Sequence, residues 1–219
     1  MVGCTGLTMY HEGMRVIIPY ARGHLEDDTV AAMEQYCPKS VRWATVCVDE
    51  EPEAEMIWPK PHTGYHDMLA EMWGEAETTV IVEHDIVILP GVIESLLACE
   101  HDWCANPYFV ASHVQACLGC TKFSSRLMLA HPNVMHEAGL IDSSAPAKDW
   151  HRVDTRIEEV LMQRLHIERH VHDVQVGHIN DQHKGRTGPQ YNVNDTAPRS
   201  EQAMKIDQGV AFFAEMGLV

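Results

Sequence analysis

A chain of 219 residues with 45% hydrophobic content is long enough to bury a full core, and it reads as one globular domain with a small appendage. Its 16 basic residues stand against 32 acidic ones, a formal net charge of -16 that disfavours non-specific adhesion to nucleic acid or an anionic membrane, though not a local basic groove. Seven cysteines, an odd number spread through apolar segments, argue against a disulfide framework.

No apolar run is long enough to cross a bilayer, and the N-terminus lacks a basic region followed by a hydrophobic stretch and a cleavage site. The expectation is a cytoplasmic protein in a reducing compartment with no membrane partner. Fifteen histidines make the charge sensitive to mild acid, and they raise the chance that any one of them lies beside an acid by accident.

The first predicted strand is Arg15 to Tyr20, an apolar run that ends after Pro19. A loop follows, and Glu26, Asp27 and Asp28 then supply the acids that favour a helix N-terminus, with the helix running to about Tyr36. Cys37-Pro38-Lys39-Ser40 breaks it, and Val41 to Val48 gives a second strand ending in Asp49-Glu50-Glu51. Pro52 to Pro61 is loop-like. Gly64 to Glu75 carries Tyr65, Met68, Leu69, Met72 and Trp73 at helical spacing.

Thr79 to Pro90 is the central strand, a β-branched apolar run interrupted by Glu83-His84-Asp85. After Pro90-Gly91 a helix is predicted over Val92 to Ala98, then a short strand near Trp103 to Val110, and then Val114 to Phe123 around Gly119. Further on, Asp149 to Leu165 has the apolar stripe of an amphipathic helix and Val171 to Ile179 reads as the last strand. Asn180 to Ser200 turns to Gly, Pro, Asn and charge, a loop, and a terminal helix is expected from about Glu201 to Met216. Alternating strands and helices imply an α/β fold with a largely parallel sheet, helices on both faces, and ligands at the carboxyl ends of the strands.

Glu83 and Asp85 flank that ligand edge. In an extended strand alternate side chains share a face, so the two acids would lie on one side and His84 on the other. Two such carboxylates suit magnesium or manganese, which can hold a diphosphate; a salt-bridged strand end is the plainer alternative. Asp49, Glu50 and Glu51 are placed to receive a ribose or base, or else form a solvated acidic loop.

Val16-Ile17-Ile18-Pro19-Tyr20, Val80 to Pro90, Cys117-Leu118-Gly119-Cys120 and Trp150-His151-Arg152-Val153-Asp154 occur in an order that resembles glycosyltransferases of the GT-A fold, in particular small phage-type and actinobacterial glycosyltransferase-like proteins. The resemblance spans roughly Arg15 to Asn180. It implies a GT-A, Rossmann-like catalytic domain over residues 1–180, with the loop and C-terminal helix of 181–219 appended. It also implies a nucleotide-sugar donor held near Pro19, Tyr20, Asp49, Glu83 and Gly119. Glu83-His84-Asp85 stands at the family's Asp-x-Asp motif, with Asp85 the direct ligand of Mn2+ or Mg2+ and Glu83 a departure from the pattern in its first position.

Asp154 matches the acid that in inverting members takes the acceptor's proton, and its plainer reading is a helix N-terminal acid. His178, after Val176-Gly177, matches a histidine placed on the metal, with Asp181 and His183 as neighbouring substitutes. The implied activity is a metal-dependent, inverting glycosyltransferase acting on an acceptor hydroxyl, for which a modified DNA base fits the phage-like resemblance.

Two other readings stand beside it. A nucleotidyltransferase shares the sheet and the metal but attacks phosphorus; the first strand's surroundings are poor in the glycines it would need. Cys99, Cys104, Cys117 and Cys120 could close a structural zinc site in a non-enzymatic binding module, although the wide first spacing and the apolar surroundings favour core packing.

Overall fold

The computed structural model describes residues 14–21, 23–48, 64–110, 113–141 and 153–179. The described residues form a mixed α/β fold whose central sheet has six strands in the order β2-β1-β3-β8-β5-β9. Strands β1 (Met14–Tyr20), β2 (Arg42–Cys47) and β3 (Thr78–Val82) run parallel. Strand β8 (Cys120–Phe123) is antiparallel to both its neighbours, β3 and β5 (Trp103–Ala105), and the two-residue β9 (His170–Val171) lies parallel to β5 at the edge. The sheet is therefore mostly parallel, with one reversed strand inside it.

Alternation along the central strands divides the core in two. Ile17 and Ile81 face a cluster built with Leu69 and Trp73 of α2 (Gly64–Glu75), Met135 of α5 (Val134–Leu140) and Ile157 of α6 (Val153–Glu158). Val16, Ile18, Val80 and Val82 face the opposite cluster, with Met33 of α1 (Asp27–Tyr36) and Ile93 and Leu96 of α3 (Val92–Ala98). Every residue of β3 is buried, as a strand covered on both faces requires. Each fully buried Ile or Val contributes about 1.5–3 kcal/mol relative to exposure, so the strand that leads to Glu83 is among the most firmly held in the molecule.

Pro19 fits within β1 because β3 pairs only as far as Ile17; beyond that point the strand faces β2 alone, and one side needs no ladder donor. Gly91, at φ 83, supplies the left-handed residue that turns the chain into α3. Helix α4 (Ser125–Ala130) starts at Ser124, whose hydroxyl accepts the Leu127 N–H at 3.0 Å.

Four sequence expectations differ from the structure. The stretch Thr79 to Pro90 is not one strand: β3 ends at Val82, His84 and Asp85 form a turn closed by the Ile86 N–H on the Glu83 carbonyl at 3.0 Å, and β4 (Ile86–Val87) joins a separate ladder. Strand alternation therefore does not relate Glu83 to Asp85; three polar residues that a doubly buried sheet cannot satisfy leave it in a turn. Trp103 to Val110 is two strands, because Asn106-Pro107 interrupts it before β6 (Tyr108–Val110). Val114 to Phe123 likewise divides into β7 (His113–Gln115), paired with β6, and β8. Val171 to Ile179 divides between β9 and β10 (Gly177–His178), which pairs with β4 instead of the main sheet.

From α6 the helix continues as π-helical turns over Glu159–Arg164, so the predicted helix is present where it is described. Helices α4 and α5 had no counterpart in the sequence reading. Asp49-Glu50-Glu51, Asp149 to Arg152, Asp181, His183, the expected loop over Asn180 to Ser200 and the expected terminal helix lie outside the described residues. Among the described residues no helix is long and apolar enough to cross a membrane.

Candidate functional site

The carboxyl ends of β1, β2 and β3 share one edge of the sheet, which puts Pro19, Tyr20 and the Glu83 turn on the same side. Tyr20 is partly exposed and its carbonyl accepts the Val48 N–H at 3.0 Å, which holds the end of β2 alongside it. Asp49, one residue on, is outside the described set.

Glu83 sits at the centre of the polar groups on this edge. Its N–H donates to the Gly119 carbonyl at 2.8 Å and its Oε1 accepts the Tyr65 hydroxyl at 2.9 Å. Burial pushes its carboxyl up to about 8, and the negative charges of Asp85 and Asp154 add to that, against the Tyr65 hydrogen bond, which lowers it. Burial, then the charge and the hydrogen bond of Glu83, raise the Tyr65 phenol. Near neutrality Glu83 is therefore a protonated acid beside two other carboxyls.

Asp85 behaves in the opposite way. Burial works to raise it, but His178, by hydrogen bond and by charge, and then His84 outweigh that and hold it below its ordinary value. His178 Nε2 lies 3.2 Å from Asp85 Oδ2. What brings them together is the short ladder of β4 and β10, in which His178 faces Ile86, and the Ile179 N–H on the Asp85 carbonyl at 2.8 Å. The other ring nitrogen of His178, Nδ1, is buried and has no hydrogen-bond partner among the described residues.

Gly119 forms the floor between these groups. A Cβ there would stand 2.6 Å from the Tyr108 ring, so only glycine allows the approach. Tyr108 is buried, its hydroxyl accepts the Gly119 N–H at 3.3 Å, and its ring packs against His178 with centroids 5.5 Å apart. Burial raises its phenol, followed by the charges of Cys117, Glu83 and Asp154.

Asp154 enters from the first turn of α6, where its Oδ1 accepts the Thr155 N–H at 2.7 Å. Burial raises its carboxyl, the Thr155 N–H opposes this, and Glu158 adds to the rise; the Thr155 hydroxyl and the Cys117 thiol lower it. Asp154, Glu158, Cys117 and Leu118 line a small crevice with Trp103, Ile157 and Arg169. Glu158 pairs with Arg169, whose guanidinium lies 4.9 Å over the Trp103 ring. Burial, then Glu158 and Asp154, raises the Cys117 thiol, so the thiol stays neutral.

Asp85, His178, Glu83, Gly119 and Asp154 thus belong to one neighbourhood, in which Glu83 responds to both Asp85 and Asp154. An ionised carboxylate beside an imidazole is a donor set that fits a divalent cation, with Asp85 Oδ2 and His178 Nε2 as the two donor atoms. Adjacent ligands of an octahedral ion with 2.0–2.1 Å bonds stand about 3 Å apart, close to the Asp85–His178 separation of 3.2 Å. Glu83 is not gathered into that pair: among the described residues the one trio of His, Cys, Asp or Glu with donor atoms all within 4.8 Å of one another is Cys99, His170 and His172.

The four cysteines do not meet as a zinc site either. Cys104 and Cys120 are fully buried in the core, where burial pushes their thiols up to about 12 and still higher, while Cys117 is beside Asp154. Tyr65, Tyr108, Glu158 and Arg169 are the neighbours that the sequence reading missed. Only Glu158 had a readable signal, since four residues after Asp154 on a helix it shares that residue's face.

No family model and no curated protein matches the chain. Its fold is similar to a solved structure described as the crystal structure of a glycosyltransferase involved in the glycosylation of the major capsid of PBCV-1, at TM-score 0.48 and 11% identity over 89% of this chain and 98% of that one.

Proposed function

We propose that the chain is a metal-dependent glycosyltransferase that inverts the anomeric centre of a nucleotide sugar. The observation that carries the reading is the contact between Asp85 and His178: two residues far apart in sequence, assigned to one cation by the GT-A resemblance, lie 3.2 Å apart at the ligand edge of the sheet.

Asp85 and His178 would hold Mn2+ or Mg2+. When bound, the cation supplies positive charge against the diphosphate leaving group. Asp85 contributes an ionised carboxylate at every pH of interest, since its partner keeps it below the ordinary range. Glu83, protonated at the same pH, adds no second charge and has a proton to offer a donor hydroxyl. Tyr20 and Gly119 border the space, and Gly119 lets the Tyr108 ring pack under it.

Asp154 acts as the base. Its raised pKa brings it nearer to the working pH, which makes it a better proton acceptor than a solvated aspartate. It takes the proton of the acceptor hydroxyl while that oxygen bonds to the anomeric carbon and the bond from that carbon to the diphosphate breaks. Attack opposite the leaving group inverts the centre.

The test is a panel of nucleotide sugars with manganese, with and without chelator, and product analysis. Free nucleoside diphosphate with loss of turnover in chelator is expected, and Asp154→Asn should abolish transfer while retaining donor binding. Undiminished turnover in chelator removes the metal role, and pyrophosphate as product replaces sugar transfer with nucleotidyl transfer.

A further inference from the structure

We infer that Cys99, His170 and His172 form a zinc site, distinct from the Asp85–His178 pair. One donor atom from each of the three lies within 4.8 Å of the other two. One thiolate with two imidazoles is a borderline-soft donor set, which suits zinc and does not suit the hard cations expected at Asp85. Ligand atoms around a tetrahedral zinc with bonds of 2.0–2.3 Å stand roughly 3.3–3.6 Å apart. The trio needs to contract by no more than about 1.5 Å, which side-chain rotation supplies without moving the backbone.

The backbone of each ligand is already fixed. Cys99 caps the C-terminus of α3, its N–H on the Leu96 carbonyl at 3.3 Å. His170 pairs with Cys104 in the main sheet, and the His172 N–H donates to the Ala105 carbonyl at 2.9 Å. The rings of His170 and His172 meet edge to face at 5.0 Å, and His101 stacks on His170 at 4.3 Å, almost parallel.

The surroundings have the features of a second coordination shell. His172 Nε2 is buried and has no hydrogen-bond partner among the described residues, a cost that a metal would remove. Lys122 is 3% exposed, and its ammonium donates to the Cys99 carbonyl at 2.5 Å, where a Cys99 thiolate would offset its charge. As the zinc–sulfur bond forms, the Cys99 proton passes to solvent. Three protein ligands leave a fourth position for water.

Placed there, zinc ties the end of α3 to the segment that begins at His170 and ends at His178. That segment is held further by Asn106 on the Val174 carbonyl at 2.8 Å and by the Val176 N–H on the Pro107 carbonyl at 2.9 Å. The site is thus a staple at one end of the element that delivers His178 to Asp85. It is read by metal binding alone, so it stands or falls independently of the transferase reading.

The full chain, stripped with chelator, is titrated with Zn2+ against a chromophoric competitor and separately loaded with Co2+. One zinc per chain is expected at this trio, with affinity falling about 10- to 100-fold or more in Cys99→Ser and in His172→Ala and unchanged in Cys37→Ser. The cobalt protein should show a sulfur-to-metal charge-transfer band that Cys99→Ser removes and Cys37→Ser keeps. Equal zinc affinity in wild type and both ligand variants means an adventitious ion only and overturns the site. Should a variant fail to fold, the wild-type cobalt spectrum still decides, since absence of the charge-transfer band overturns it too.

Discussion

Tyr65 donates its hydroxyl to Glu83 across 2.9 Å, a bond that fastens α2 to the end of the central strand inside the protein. Tyr65 is buried and Glu83 partly so, and removing the hydroxyl leaves a carboxyl oxygen without its donor. Tyr65→Phe should cost about 1–3 kcal/mol of stability, measured by urea unfolding, with no change in the sheet by circular dichroism. A variant as stable as wild type would mean that the bond is not kept in solution.

Glu83 itself should tolerate neutralisation. Because burial, Asp85 and Asp154 keep its carboxyl protonated up to about pH 8, an amide of the same shape replaces a neutral group by a neutral group. Glu83→Gln is expected to unfold within about 1 kcal/mol of wild type at pH 7, in contrast to the several kcal/mol that deleting one member of a buried ion pair costs. A loss of that larger size would show that Glu83 is ionised and paired.

Gly119 is closed to substitution by the ring beside it. A methyl group there collides with the Tyr108 ring, and Tyr108 also packs on His178. Gly119→Ala should destabilise by about 1–3 kcal/mol, the usual cost of overpacking, and should weaken manganese binding through the displaced ring. Gly119→Ala combined with Tyr108→Ala, which makes room for the methyl, should cost less than the sum of the two single changes; strict additivity would refute the collision.

Acid stability gives a separate check, far from the site. Asp102 accepts from Arg126 Nε at 2.8 Å and from the Ser124 hydroxyl at 2.5 Å. Burial raises its carboxyl, the bonds from Arg126 and Ser124 and the charges of Arg126 and Lys122 together outweigh it, and the net effect holds it below its ordinary value. A depressed folded value means that the contribution is fully present above the unfolded pKa of about 3.9 and is lost as pH falls through the folded one. In Asp102→Asn the melting temperature should therefore fall less steeply below about pH 4 than in wild type. Parallel acid limbs would assign the pair no part in folding.

The outlines of the fold were legible where periodicity is strong and partners are local. Gly64–Glu75 and Val92–Ala98 have the boundaries their apolar spacing indicates, and β1 and β2 lie within a residue of theirs. What was not legible depends on where a strand finds its neighbour. The apolar pattern of Cys120–Phe123 is the same whether it runs with β3 or against it, and only the intact sheet makes it antiparallel. The site divides in the same way. Asp85 and Asp154 stand out as acids at element ends, but Tyr65 reads as one more apolar position on α2, and Arg169 carries nothing in its own segment that points to Glu158 and Trp103.

The ladder that holds His178 against Asp85 contains only the pairs Gly177–Val87 and His178–Ile86, with the Ile179 amide bond beside them. So short a register opens at a free energy well below that of global unfolding, whereas Ile81, inside a sheet paired on both sides, exchanges its amide only when the whole domain comes apart. In deuterated solvent the Ile179 amide should therefore exchange long before that of Ile81. A cation bridging Asp85 and His178 would close that gap in protection, so that occupancy of the candidate site can be read from the exchange rate of a single amide.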